Sequence, residues 1–321
     1  MIKDIVLSLL EENRGEPVSG EEIAEKLKVT RSAVNKAVRS LRDDGYNISA
    51  RTKHGYCLEK DDDKLSVIGI KKYLDEKFSD NYITVLDTVD STNTYAKKLA
   101  NEGVPHASII VANEQTKGRG RLGRTFYSPA DKGVYISFVL RPKMQLSEAS
   151  FLTVVAGVAA CQAIEKTTDL TPSIKWVNDV FVRGKKCCGI LSEATSDFET
   201  MSVQNVVVGI GINVSNDVFP DEIKNTAVSL GGVLRNKLAA EVINCFLSLA
   251  DSFSREEIVK EYKKKCFVIG KEITYTLNGT EYKAKVIDIN NDANLVVQND
   301  DGTVSVLKSG EISIGSSNLT K

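Results

Sequence analysis

Histidine is nearly missing from this chain: His54 and His106 are the only two in 321 residues. That scarcity leaves a histidine-based metal cluster unsupported. The six cysteines show no CxxC spacing, and adjacent Cys187 and Cys188 would point to opposite faces of a strand. A shared metal or mutual disulfide is therefore not expected; the thiols read as small core residues in a reducing compartment. No apolar run reaches the roughly 20 residues of a membrane span. The first residues lack the apolar stretch and cleavage site of a signal peptide. The expected location is cytoplasmic, with no membrane partner. There is no GxxxxGK[ST] loop, so any ATP is not held by a P-loop. Val206 to Asn213 contains Gly-Ile-Gly but no third glycine, and it runs along a strand instead of opening a helix, so a dinucleotide fingerprint is rejected. Net charge is −1, so any nucleic-acid contact must come from a local patch.

What is present is soluble globular composition and a length that predicts about two or three domains. The most distinctive stretch is Gln115-Thr-Lys-Gly-Arg-Gly-Arg-Leu-Gly-Arg124. Gly118, Gly120 and Gly123 alternate with Arg119, Arg121 and Arg124, between strand-like runs at 109–113 and 133–140. Glycine permits close backbone approach to a ligand. Arginine supplies a permanently charged fork suited to phosphate and carboxylate oxygens. The loop reads as an anion clamp; a solvated basic loop, or one that binds nucleic acid, fits the spacing equally well.

The first sixty residues carry a second pattern. Ser19, with Glu22 three residues on, predicts a capped helix whose apolar face is Ile23, Ala24 and Leu27. Thr30 is placed to cap a second helix from Arg31 to about Asp44, with Val34, Ala37, Val38 and Leu41 inward. Its outward residues are Arg31, Ser32, Asn35, Lys36, Arg39 and Arg42, which suit phosphates and base edges. Residues 48–58 read as a hairpin wing around Lys53-His54-Gly55, bringing in Arg51 and Lys53. From Lys26 to Lys53, eight lysines and arginines stand against Asp43 and Asp44. This is a winged helix-turn-helix with a DNA-facing charge pattern. A protein-contact winged helix with a merely solvated basic face is the alternative. Asp61-Asp-Asp63 reads as a boundary.

Beyond it, 65–78 has helical periodicity, and Asp90-Ser-Thr-Asn93 reads by itself as capping of a helix from Thr94. A long small-residue helix is expected from Ala149 to about Glu165, followed by strands at 173–177, 186–193 and 203–214. Lys175 lies in an apolar strand before an Asn178-Asp179 turn, facing either solvent or a buried anion; Trp176 reads as core. After two helices, short alternating runs near 273–277, 283–289, 295–298 and 304–307 predict a small β-barrel of SH3-like size.

Together these features resemble the bifunctional biotin–protein ligases that double as biotin operon repressors. Gly118-Arg-Gly-Arg-Leu-Gly-Arg124 is similar to the family's GRGRxGR loop, and Lys175-Trp-Val-Asn-Asp179 to its KWPND strand end. Asp90 to Asn93, Lys186 to Glu193 and Val208 to Asn213 also fit. Val177 replaces a usual proline, which would loosen that turn, and Phe126 stands where tryptophan is common. The resemblance implies a multidomain α+β chain. Its parts would be a winged helix-turn-helix at 1–64, an α/β ligase domain with a mixed sheet at 65–267, and an SH3-like β-barrel at 268–321.

It also implies activation of biotin by MgATP to biotinyl-5′-AMP, then transfer to a lysine of a biotin carboxyl carrier domain of a carboxylase. In that reading Lys175, Arg121 and Arg119 are catalytic. Ser91, Thr92, Asn93, Gln115 and Gly120 join them around biotin. Gly118, Arg124, Phe126, Asn178 and Asn213 serve the adenylate side, and Asp179 is the candidate for Mg²⁺. Operator DNA and a ligand-dependent homodimer are the other expected partners. Two further readings stay open here: a biotin-sensing repressor without catalysis, and a ligase whose first domain no longer binds DNA.

Overall fold

A computed structural model describes residues 2–314 apart from 52–53, 143, 146–147, 197–202, 253, 278–279, 309 and 311. The chain folds as two compact units, residues 1–80 with 234–240, and residues 81–233 with 241–321.

The first unit begins with helix α1 (Ile2–Glu12), which the sequence reading did not anticipate. Then come α2 (Gly20–Leu27), α3 (Arg31–Asp43) and a hairpin of β1 (Ile48–Arg51) and β2 (Gly55–Leu58), antiparallel with Ile48 opposite Leu58. Thr30 accepts from the Ala33 N–H at 3.2 Å and so starts α3, as its position predicts. Ser19 caps α2 through the Glu21 N–H, one residue earlier than the expected capping box requires. Val34, Ala37, Val38 and Leu41 turn inward, onto a core shared with Val6, Leu10, Ile23, Ile48 and Leu58. Gly55 has φ +103°, and a Cβ there would sit 2.0 Å from the Val18 carbonyl oxygen. Only glycine lets the wing close against residue 18. The helix expected across 65–78 is shorter than its periodicity suggested: α4 (Val67–Lys71) is followed by a 3₁₀ turn at Glu76–Phe78.

The second unit is built on a seven-stranded mixed sheet. Its strands are β3 (Ile83–Val89), β4 (Ser108–Gln115), β5 (Gly133–Leu140), β6 (Ser173–Lys175), β7 (Asp179–Val182), β8 (Lys185–Ser196) and β9 (Val203–Asn213), in the order β3-β4-β5-β9-β8-β7-β6. Only the β3–β4 pair is parallel. Every residue of β5 is buried, which explains its uninterrupted apolar reading. Helix α5 (Thr92–Asn101) packs on β4, β5 and β9, whereas α6 (Phe151–Thr167) packs on β6 to β9 and on α8 (Arg255–Lys265). Most of α6 is buried, including every residue from Leu152 to Cys161, so its small apolar residues run around the whole helix there, not along a stripe. Helix α7 (Arg235–Ser252) contributes Phe246, whose ring lies 4.4 Å from that of Phe138.

The C-terminal strands are β10 (Glu272–Leu277), β11 (Thr280–Ile289), β12 (Leu295–Asn299), β13 (Val304–Leu307) and β14 (Ile312–Ile314). They form a five-stranded antiparallel sheet in the order β13-β12-β11-β10-β14. Among the described residues the sheet does not close into a barrel. All six cysteines are buried and free, and burial pushes the Cys187 and Cys266 thiols up to about 12, which removes them from thiolate chemistry.

Candidate active site

One cavity of about 470 Å³ opens in the second unit, and the sequence-predicted residues converge on it. Ser91, Thr92, Asn93, Gln115, Arg119, Gly120, Arg121, Arg124, Phe126, Lys175, Asn178, Asp179 and Asn213 all line it. They come from the start of α5, the end of β4, the Gly/Arg loop, the β6–β7 turn and the end of β9. Gly118 does not line it.

The Gly/Arg loop is a short hairpin. Gly120 N–H donates to the Arg124 carbonyl at 2.7 Å, and Phe126 N–H to the Gly118 carbonyl at 2.9 Å. A Cβ on Gly118 would lie 2.3 Å from the Phe126 carbonyl oxygen, so the hairpin limbs meet only because that side chain is absent. Gly123 is needed for a different reason, a φ of +75° at the tip, beside Leu122 at +52°.

The residues at the start of α5 do more than cap it. Ser91 occupies the N-cap position without a side-chain capping bond. Thr92 donates its N–H and its hydroxyl to Gln115 Oε1 at 2.8 and 3.1 Å, and Gln115 Nε2 donates to Ser128 Oγ at 2.9 Å. Asn93 receives Ser137 Oγ at 2.7 Å and donates to the Leu191 carbonyl and to Glu193 Oε2, at 3.1 and 2.9 Å. Ser91, Thr92 and Asn93 are each at most 4 % exposed, so capping alone does not account for the motif. The side chains of Thr92 and Asn93, buried and bonded in this way, are fixed in direction and present a rigid donor and acceptor pattern.

The floor explains Gly-Ile-Gly. Tyr135, Gly211 and Gly189 lie side by side across β5, β9 and β8, and so do Ser137, Gly209 and Leu191. A Cβ on Gly211 would come within 2.5 Å of the Phe126 ring, and one on Gly209 within 2.2 Å of Asn93 Oδ1. These glycines are therefore clearances for Phe126 and Asn93, consistent with rejecting a dinucleotide fingerprint. Phe126 also meets Tyr135 edge-on at 6.5 Å.

On the charged side, Lys175 ends β6 half-buried and lines the cavity. In the following turn Val177 stands without proline, Lys175 pairs with Asp179, and Ile190 N–H donates to the Asn178 carbonyl at 2.9 Å. Trp176 is core, with Nε1–H donating to the Ala293 carbonyl at 3.0 Å. Arg121 donates to Asn178 Oδ1 at 3.1 Å, and Arg119 lies 3.7 Å from Glu193. Burial works against ionising Glu193. Hydrogen bonds from Lys97 and Asn93 and the charges of Lys97 and Arg119 outweigh it, holding the carboxyl below its ordinary range.

One lining cation was missed by the sequence reading as a site residue. Lys186 Nζ lies 2.7 Å from Asp179 Oδ1 and close to the cavity floor at Gly189. Its only signal was its place at the start of a strand run already matched as a motif. The segment Ile223 to Ala227 was also missed; it lines the cavity and carries no distinctive residue pattern.

In the first unit Arg31, Ser32, Asn35, Lys36, Arg39 and Arg42 are all exposed along α3. Arg42 Nε donates to the Ile48 carbonyl at 2.7 Å and Asn35 to Tyr56 Oη at 3.1 Å, tying helix and wing together. The side chain of Arg51 and the whole of Lys53 lie outside the described residues.

The site is thus a cationic hairpin carried by a mixed sheet over a glycine floor. Residues 85–213 match the model of the biotin/lipoate A/B protein ligase family, and residues 4–57 that of an HTH domain. The bifunctional ligase/repressor BirA of Bacillus subtilis is 34 % identical over 98 % of both chains. The Escherichia coli protein of the same name is 28 % identical over 94 % of both. Among solved structures, the biotin protein ligase of Aquifex aeolicus in complex with biotin and ATP superposes with a TM-score of 0.62 at 29 % identity, covering 72 % of this chain and 97 % of that one. The chain belongs to the bifunctional biotin protein ligase and repressor family.

Proposed function

We propose that the chain activates biotin with ATP, transfers it to a carrier lysine and represses transcription when the adenylate accumulates. The observation that carries the reading is the convergence of Arg119, Arg121, Lys175, Ser91 and the hydrogen-bonded Thr92, Asn93 and Gln115 on one cavity. A carboxylate and an α-phosphate repel each other, and fixed cations bring them together and stabilise the charge that develops. Biotin's ureido ring lies against Ser91, Thr92, Asn93 and Gln115. Its carboxylate meets Arg119, Arg121 and Lys175, with Gly120 allowing close approach. A carboxylate oxygen bonds to the α-phosphorus as the bond to pyrophosphate breaks, and Lys175 stabilises the oxygens there. Phe126, Arg124, Asn178 and Asn213 serve the nucleotide, with Gly118 shaping the loop behind them.

Magnesium would arrive on the ATP phosphates, whose charge it neutralises. Asp179 is the carboxylate lining the cavity, and no group of three acidic, histidine or cysteine ligands stands ready among the described residues. A substrate-borne Mg²⁺ suits such a wall, because this ion keeps much of its water and leans on one or two carboxylates.

Residues 1–64 serve as the operator-binding module through Arg31, Ser32, Asn35, Lys36, Arg39, Arg42, Arg51 and Lys53. Residues 65–267 serve as the ligase and 268–321 as an SH3-like cap; the C-terminal strand order supports that last reading. One winged helix reads a short half-site, so repression calls for a homodimer on two half-sites. Six free cysteines suit work in the reducing cytoplasm.

The test combines the protein with MgATP, biotin and a biotin carboxyl carrier domain. Intact mass of the carrier should rise by one biotinyl group. Sedimentation with biotinyl-AMP but no carrier should show a tighter dimer than without ligand, typically by about 1–3 kcal/mol. An unmodified carrier rejects the ligase reading, and equal dimerisation in both states rejects the coupling.

A further inference from the structure

Glu193 joins three segments at one carboxylate. Its Oε2 accepts from Asn93 Nδ2 at 2.9 Å, while its Oε1 meets Lys97 Nζ at 2.5 Å and Arg119 Nη1 at 3.7 Å. Asn93 and Lys97 stand four residues apart on α5, hence on one face, so a single helix supplies both grips. The acid itself is carried by β8, paired opposite Val207 of β9. Arg119 comes from the Gly/Arg hairpin, and its side chain is 51 % exposed against 19 % for Glu193. A long exposed arginine is thus set against an acid whose own position is fixed from two sides.

Charge decides what this contact can do. An unbalanced acid beside Arg119 would cancel its charge and repel an incoming carboxylate. Lys97 lies nearer to Glu193 than Arg119 does, and already balances it. Two cations on one carboxylate leave one positive charge over, so Arg119 is aimed without being neutralised. An arginine held in place before its ligand arrives has less rotamer freedom to lose on binding.

Resting on the ligase reading, we propose that Glu193 is a positioning residue for biotin's carboxylate. It holds the Arg119 fork at the biotin end of the cavity, and Lys97 cancels its charge so that the charge of Arg119 stays available. The group that touches the substrate is Arg119; no bond is made or broken at Glu193.

The test is calorimetric titration of the full chain with biotin and with biotinol, in which a neutral CH₂OH replaces the carboxylate. Glu193→Gln keeps an acceptor for Asn93 but offers Arg119 no charge. Replacing Lys97 by Gln as well restores the original net charge and removes only the anchor. Both variants should bind biotin about three- to fivefold more weakly, the scale of a partly exposed ion pair, and bind biotinol as the wild type does. In an Arg119→Met background, Glu193→Gln should change nothing further. Equal weakening for both ligands overturns the proposal, because Glu193 would then act through Asn93 or the fold. Tighter biotin binding overturns it too, making Glu193 a competitor of the substrate, and so does an undiminished effect in the Arg119→Met background. Lys97→Gln alone, on a helix surface, keeps the test open if the Glu193 variants do not fold. It leaves the acid unbalanced and should weaken biotin but not biotinol; unchanged biotin affinity there overturns the proposal. A wild-type chain that binds neither ligand is a separate failure, which removes the ligase reading and this inference with it.

Discussion

The cavity and the basic face of α3 are built on opposite principles. Around the cavity, Thr92, Asn93, Gln115, Ser137 and Glu193 are interlocked by hydrogen bonds, and Ser91, Thr92 and Asn93 are buried. On α3 the polar residues stand exposed, over an apolar underside that packs into the core. A site that must orient two small molecules needs rigid groups whose partners are already chosen. A face that meets a polyanion needs charge in reach, and water screens it until contact. Substitutions within the interlocked network should therefore cost both stability and activity, but those on the helix binding alone.

The largest effect should come from Lys175→Ala. Loss of one preorganised charge at the reacting phosphate is expected to slow adenylate formation by roughly 10²–10³-fold. Circular dichroism should remain native, because Lys175 ends a strand at the cavity and is not core. A wild-type adenylation rate would take Lys175 out of the mechanism.

Gly211→Ala should break the cavity floor. Its Cβ would lie 2.5 Å from the Phe126 ring, so overpacking should cost about 1–3 kcal/mol of stability. The displaced ring should also raise the KM for ATP. An unchanged melting temperature with unchanged KM would mean that Phe126 moves aside without consequence.

Lys36→Ala and Arg39→Ala sharpen the other half of the comparison. Each should weaken DNA binding and, where the contact is to phosphate, make the salt slope shallower by about one. Thermal stability should stay within about 0.5 kcal/mol, as for exposed positions generally. DNA affinity unchanged in both would favour a winged helix used for protein contacts.

The smallest effect concerns Glu193 and pH. Its folded-state carboxyl titrates below the ordinary value of 4.5. The stabilisation is thus fully present above 4.5 and is lost as pH falls through the lowered folded value. Glu193→Gln should reduce stability at neutral pH and flatten the acid limb below 4.5. Parallel acid limbs in wild type and variant would show that this carboxylate does not contribute.

Periodicity made the helix face legible, since Val34, Ala37, Val38 and Leu41 leave only one side for the charges. Motif spacing made the Gly/Arg hairpin and Lys175 legible, but not what each glycine does. Gly118 answers to a backbone 2.3 Å away, and Gly211 to an aromatic ring from another segment. Those neighbours are set by tertiary contact and leave no local signal. Lys186 was hidden for the same reason, because its partner Asp179 lies across a hairpin. The 65–78 segment kept its period but ran out of helix at Lys71, giving way to a 3₁₀ turn.

The most direct test follows ATP labelled at the α-phosphate, with biotin and Mg²⁺, over a single turnover. The account predicts protein-bound biotinyl-AMP and one equivalent of pyrophosphate from the wild-type chain, and neither within the same time from Lys175→Ala at the same folded fraction. Labelled ADP, or no biotin-dependent product from the wild-type chain, would contradict it.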